Sequence, residues 1–436
     1  MNIKSKILRY SVGPLGAALI SLATIPLIAW LYAIEDVAKF SIFQSVIVLY
    51  TLVLSFGLDQ AFIREYYESK NKDILLKNIL SGVLIPSLIF LLLALIFFRE
   101  SMILFLFDEY SIQIFLLTIF SCLFSLFIKI LSLIQRLKEQ ALLFSLSQLL
   151  PKIIFLILIF VFFMIGSTSF HTILLAQFLS VLVVLLYFFA INFNTILSSL
   201  KCKINFSSIR GYYIFGVPLI FSGALIWGMK LADRFYLKIL SDLDQLGQYA
   251  MAISIASGVA IFSGIFNTIW SPLVYKWVGE LNVDKKLVAD KIKKISEVIS
   301  LCILGIIIFL VLTSKYIVNF LPSAYSEIYL IIPLCALTPL LYTLSEVTGI
   351  GINLMKKTQL TFWSCVFAVI FHLILCFLLI PYLGSRGAAI AGALSFYIFF
   401  VVKTIFSNYF WFNCELKRTY AISFLSLCFS LLPVLI

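Results

Sequence analysis

Long apolar runs, interrupted at intervals by short polar clusters, set the pattern of this chain. A helix rising 1.5 Å per residue needs roughly 20 apolar residues to cross the ~30 Å hydrocarbon layer of a bilayer. Runs of that length fall near 10–33, 40–63, 76–98, 111–134, 142–165 and 171–193. A second series falls near 212–237, 246–270, 296–318, 326–350, 358–380 and 388–412. The pattern predicts about twelve transmembrane helices. A last apolar run, Ala421 to Ile436, is short, and fits a thirteenth span, a re-entrant piece or an interfacial helix. The longest polar stretch, Lys276 to Lys294, reads as an amphipathic helix lying on the membrane surface.

Composition agrees. Of 436 residues, 63% are hydrophobic and 12% charged, where a soluble domain is about 45–50% apolar and about 25% charged. Soluble enzymes and nucleic-acid modules are excluded. The eight cysteines form no Cys-x-x-Cys pair, and His171 and His372 are the two histidines. No zinc or haem site follows from these, and no cofactor or metal is expected. The first apolar run has no small-residue cleavage site behind it and reads as a retained helix. There is no Gly-x-x-x-x-Gly-Lys loop for ATP. Asp242-Leu-Asp244 resembles the Asp-x-Asp of metal-dependent glycosyl transfer, but two aspartates just before Gly247 read as a turn.

The 32 Lys and Arg residues orient the chain. With the N-terminus inside, only Lys39, Arg99, Arg234, Lys238, Lys315 and Arg386 lie in outer segments, and Lys129, Lys152, Lys230 and Lys403 lie deeper in spans. The remaining 22 fall in inner segments. A split of 22 against 6 is a strong positive-inside signal. It predicts a cytoplasmic N-terminus.

The two sets of six spans share features. Lys138-Glu-Gln-Ala-Leu-Leu-Phe-Ser leads into span 5 and Lys357-Thr-Gln-Leu-Thr-Phe-Trp-Ser into span 11. Gly166-Ser167 and Gly384-Ser385 end those spans, and Leu175-Ala-Gln-Phe-Leu-Ser180 and Ile390-Ala-Gly-Ala-Leu-Ser395 follow. Spans 1 and 7 each open on a Gly/Pro element, Gly13-Pro14 and Gly216-Val-Pro218. The expectation is an all-α polytopic membrane protein of two six-helix bundles around a central cavity, related as parallel repeats. The bundles would span 1–200 and 201–412, with 413–436 as an apolar tail.

Ionisable residues within spans cost at least about 2.5–3.5 kcal/mol at the bilayer centre, so they point to function. Lys152, about ten residues into span 5 and beside Pro151, is the deepest, and reads as a cavity-lining cation. Lys230, Arg234 and Lys238 form a basic stripe on span 7 at i, i+4, i+8. Lys238 reads as snorkelling at a helix end, while Asp233 points elsewhere. Lys129 and Lys403 lie toward the cytoplasmic third of spans 4 and 12. Asp59, Arg64 and Glu65 cluster at the inner end of span 2, where charges and tyrosines also serve as interfacial anchors. Asp59 and Glu346 are candidate carboxylates for a coupling ion.

Phe56-Gly-Leu-Asp-Gln-Ala-Phe-Ile-Arg-Glu-Tyr-Tyr67, the string from Gly216-Val-Pro-Leu-Ile to Asp233-Arg-Phe-Tyr-Leu237, and Gly247-Gln-Tyr-Ala250 carry a further reading. With these strings the chain resembles the bacterial polysaccharide biosynthesis proteins, the Wzx-type O-antigen and capsule repeat-unit flippases. These belong to the multidrug/oligosaccharidyl-lipid/polysaccharide exporter superfamily. The resemblance implies transfer of an undecaprenyl-diphosphate-linked oligosaccharide from the cytoplasmic to the periplasmic leaflet of the inner membrane, coupled to H+ or Na+. It implies a basic cavity, for which Arg64, Lys152, Lys230 and Arg234 are the matching candidates; Lys129 is a further candidate for binding substrate. Expected partners are the lipid-linked oligosaccharide, membrane lipids, and a polysaccharide polymerase with its chain-length protein; nucleic acid is not one. The alternatives are a cation-coupled multidrug exporter, which should prefer an acidic and aromatic cavity, and a membrane polymerase or glycosyltransferase, which needs a larger outer loop. The basic span residues and short outer loops favour the flippase.

Overall fold

The structure is a computed structural model of the full chain. It describes residues 13, 16–17, 19–21, 23–24, 27–69, 71–138, 140–280, 285–355, 357, 359–411 and 415–435. The described residues contain helices and connecting turns and no strand. This is an all-α polytopic membrane protein: a backbone in hydrocarbon must satisfy its own hydrogen bonds, which helices do within one segment.

The contacts divide the chain into two compact units, Met1–Thr24 with Leu31–Trp227, and Ile25–Trp30 with Gly228–Ile436. In the first unit the helices are α1 (Ile34–Leu54), α2 (Leu58–Glu68), α3 (Lys72–Leu93), α4 (Arg99–Phe107), α5 (Ile112–Leu137), α6 (Ala141–Met164), α7 (Phe170–Ile191) and α8 (Phe193–Leu200). Helix α9 (Phe206–Leu240) begins in this unit and ends in the other. A π-helical turn, Ala94–Phe98, joins α3 to α4. Asn71 opens α3 by accepting from the backbone N–H of Asp73 and Ile74, at 3.0 and 3.2 Å. Helix α5 packs against α1 and α7, and α6 against α7. Within this layer Gln44 of α1 donates to Gln177 of α7 at 3.1 Å, and Gln135 of α5 donates to Asn192 at 2.9 Å.

The run expected as one span at 40–63 is broken. Phe56 and Gly57 both adopt positive φ, 48° and 67°, which ends α1 and starts α2. Gly57 lies against Gly216 of α9 so closely that a Cβ on Gly216 would sit 2.6 Å from the Phe56 carbonyl oxygen. The glycines of the two family-like strings thus form one backbone crossing.

The second unit holds α10 (Leu243–Glu280), α11 (Lys285–Val318), a 3-10 segment at Ser323–Leu330, α12 (Ile332–Thr348), α13 (Ile350–Leu354), α14 (Gln359–Phe410) and α15 (Lys417–Leu435). Straight, the 52 residues of α14 would reach about 78 Å. Gly384, at φ 52° and ψ −127°, breaks them into two spans as the Gly-Ser element suggested. Gly166, the matching residue behind α6, also has positive φ, 79°. Asp242 accepts from the Gln245 N–H at 2.7 Å and caps α10, the turn role expected of it.

One expectation changes. The polar stretch at 276–294 is not a separate surface helix: α10 continues to Glu280 and α11 starts at Lys285. Both helices outrun the bilayer, and their apolar sides close a core of Trp270, Val274, Val288, Ala289, Ile292, Val347 and Ile350. Lys291 sits 5.1 Å over the Trp277 ring. The apolar tail forms α15, at 19 residues long and apolar enough to cross a membrane. It packs on α11, and its stripe of small residues, Thr419, Ser423, Ser426 and Ser430, is fully buried. Ser296 and Thr419 hydroxyls meet at 3.0 Å.

Candidate functional site

Helix α6 presents an apolar face to lipid, with Leu142, Ile153, Ile157, Phe160 and Met164 exposed. Ser145, Phe155 and Ile159, spaced at 7, 3 and 7 residues from Lys152, lie on the opposite, buried stripe. Lys152 belongs to that stripe and is half-buried. It is the twelfth of 24 helical residues, so about 17 Å of helix extends on either side. Among the described residues no ion pair or hydrogen bond engages its ammonium. Two turns before it, Gly13 approaches closely: a Cβ on Gly13 would meet the Ser145 Cα at 2.6 Å. Pro151 removes one backbone N–H from the turn that carries Lys152.

The other basic candidates differ. Lys129 of α5 reaches the α1–α2 break, where its Nζ lies 3.3 Å from Asp59 Oδ2 and donates to Ser55 Oγ at 3.3 Å. Gln60 donates to the same Asp59 oxygen at 3.3 Å. Arg234 of α9 is half-buried and within electrostatic reach of Asp233 and Tyr249. The side chains of Arg64 and Lys230 lie outside the described residues.

Glu346 of α12 forms an ion pair with Lys403 of α14, at 2.6 Å, with Lys403 almost fully enclosed. Gly349 makes room for it, since a Cβ there would lie 2.6 Å from Lys403 Cε. Phe399 lies under the same ammonium at 5.3 Å, and Tyr342 stacks on Phe399 at 6.2 Å. Each carboxylate singled out for ion coupling is therefore held by a lysine singled out on another span.

One buried cluster has no counterpart among the candidates that the sequence pattern offers. His372 Nε2 lies 3.0 Å from Asp233 Oδ1, Tyr249 donates to Asp233 Oδ2 at 2.6 Å, and Cys376 Sγ lies 3.6 Å from Asp233 Oδ1. The oxygen, nitrogen and sulfur of Asp233, His372 and Cys376 come within 4.8 Å of one another. Their lone pairs and hydrogens are already committed to each other and to Tyr249, Met229 and Ser395, so the cluster is a closed hydrogen-bonded network. One signal for it was present: Lys152 lies 14 residues after Lys138, and His372 lies 15 after Lys357, so both repeats carry a basic group in mid-span.

Ionisable side chains held within long apolar helices on an all-helical scaffold define a multi-pass membrane protein with candidate functional groups inside its spans. The model of the polysaccharide biosynthesis protein family matches residues 3–276, and the chain belongs to that family. No curated protein matches it. Among solved structures, the fold is similar to the lipid II flippase MurJ in an inward closed conformation, with TM-score 0.73 and 16% identity over 97% of this chain and 91% of that one. It is also similar to the MATE multidrug transporter DinF-BH (TM-score 0.67, 16% identity, 94% and 96% covered). A transporter of the MOP superfamily from Pyrococcus furiosus, its binding pocket described as reversed in polarity, aligns at TM-score 0.59 and 17% identity, with 97% of each chain covered.

Proposed function

We propose that this protein is a Wzx-type flippase that carries an undecaprenyl-diphosphate-linked oligosaccharide from the cytoplasmic to the periplasmic leaflet of a bacterial inner membrane. Its N-terminus is cytoplasmic, and transport draws on an ion gradient. The observation that carries the reading is Lys152, a mid-membrane ammonium on the inward stripe of α6 with no partner of its own among the described residues. An anionic headgroup supplies that partner: a diphosphate cannot enter hydrocarbon without replacing its hydration, and a fixed ammonium replaces part of it with a charge-assisted hydrogen bond. The isoprenoid tail stays among lipid tails while the headgroup crosses. Lys129 and Arg234 serve as further basic contacts, each poised by a neighbouring aspartate. Family membership and the MurJ-like fold support a lipid-linked cargo.

A multidrug exporter is the competing reading, favoured by the likeness to DinF-BH. Cargo charge separates the two. In proteoliposomes holding a polyprenyl-diphosphate oligosaccharide with a fluorescent sugar, an impermeant quencher should reach the whole labelled pool instead of the outer-leaflet half. Transport of a cationic dye with no movement of the lipid would overturn the flippase reading.

A further inference from the structure

His372 sits on the first half of α14, 1% exposed, and the transport reading above makes no use of it. Its Nδ1 lies 3.2 Å from Ser395 Oγ. That hydroxyl donates its one hydrogen to the Ala391 carbonyl at 2.6 Å, so toward the ring it can only accept. The other ring nitrogen, Nε2, lies 3.0 Å from Asp233 Oδ1 and 3.2 Å from the Met229 carbonyl oxygen. The carbonyl only accepts, and so does an ionised carboxylate. Both ring nitrogens therefore face acceptors. A ring that satisfies both carries two hydrogens and is an imidazolium.

The counter-charge is Asp233 of α9, 5% exposed, whose second oxygen accepts from Tyr249 of α10. Cys376, one turn along from His372, lies 3.5 Å from Nε2. Among the described residues, Cys335 of α12 and Arg234 of α9 are the other titratable and charged groups around the aspartate. The imidazolium–carboxylate pair is neutral as a unit and so tolerates burial. Loss of the proton leaves a buried carboxylate without its partner charge, which only water entry, another cation or parting of α9 from α14 relieves. Proton occupancy and helix packing are thereby linked.

We propose that His372, fixed by Asp233, is a proton-binding site through which this transporter couples to a proton gradient: the packed arrangement of α9, α10 and α14 holds the proton, and their separation releases it. Only the coupling part rests on the flippase reading. The binding part is tested without cargo. In the full chain carrying His171→Gln, ring 15N NMR in nanodiscs reports a single histidine. Both ring nitrogens should be protonated at neutral pH and one hydrogen lost on raising the pH. Asp233→Asn should leave the ring neutral at pH 7. Tyr249→Phe, which removes the donor to Asp233 and concentrates its negative charge, should move the midpoint to higher pH. A singly protonated ring at pH 6, or a midpoint untouched by Tyr249→Phe, overturns the site. Coupling is read in proteoliposomes with an imposed pH gradient, where His372→Gln should lose the acceleration that the gradient gives the wild type. A His372→Gln protein that responds like the wild type overturns the coupling. A wild type that moves no lipid-linked cargo sinks the flippase reading, while the NMR result still decides the proton site.

Discussion

Replacing Lys152 with methionine should raise stability and lower transport in the same molecule. A lysine at the centre of a spanning helix costs about 2.5–3.5 kcal/mol on the insertion scale. Lys152 is midway along α6 and half-buried, and no acceptor among the described residues compensates its charge. Any water that reaches the ammonium lowers that penalty, to about 1–2 kcal/mol if hydration halves it. Methionine keeps the length and removes the charge, so Lys152→Met should stabilise the fold by that amount and raise Tm in detergent by a few degrees. The cost appears in transport. One charge-assisted hydrogen bond to a phosphate oxygen contributes about 1.5–3 kcal/mol, equivalent to roughly 10- to 100-fold in headgroup affinity. Surface polysaccharide in cells lacking the native copy, with thermal melting of the purified protein, reads both effects. Lys152→Arg should retain part of the function, because its planar fork can still bind phosphate. Lys152→Glu should be at least as damaging as methionine. A methionine variant that melts earlier would make Lys152 a structural support, and normal polysaccharide from well-expressed Lys152→Glu would mean that the lysine does not meet the cargo.

Three further outcomes follow from the packing. Glu346→Gln strands Lys403 without its counter-charge and should cost about 3–5 kcal/mol in melting experiments, while Glu346→Gln with Lys403→Met should recover most of it; no recovery would refute the ion-pair account. Gly216→Ala must push the Phe56 carbonyl away from a 2.6 Å contact, at about 1–3 kcal/mol, and Gly57→Ala adds the strain of a φ of 67°, so it should be the more damaging of the two. With native cysteines removed, a cysteine at 285 should react with an impermeant thiol reagent only in inverted vesicles, and one at 242 in intact spheroplasts; the opposite pattern would invert the topology.

Much of the architecture was legible in the one-dimensional pattern because its causes are local. A run of apolar residues either reaches across about 30 Å or does not, and the chain alone states which. Gly384 and Gly166 announced span ends because positive φ is a property of a single residue. The break at Phe56-Gly57 was not read, since Gly57 is surrounded by residues that would equally continue a helix, and its close partner Gly216 is far along the chain. The polar stretch at 276–294 departs from its sequence pattern for a related reason. Its alternation of lysines with Val288, Ala289 and Ile292 fits a surface helix, and only packing against Val347 and Ile350 turned that face inward.

The candidate site divides along the same line. Composition and hydropathy determined that this is a membrane protein and which ionisable residues lie within its spans. The tertiary structure decided their partners: Asp59 with Lys129, Glu346 with Lys403, Asp233 with His372. Each pair joins different helices across long separations in sequence. Between helices in a bilayer the hydrophobic effect supplies little drive, because lipid tails are as apolar as leucine side chains. The apolar pattern therefore says that a helix spans but not which face meets which neighbour. That choice falls to glycines, small hydroxyls and buried charges, whose interactions exist only once two helices have met.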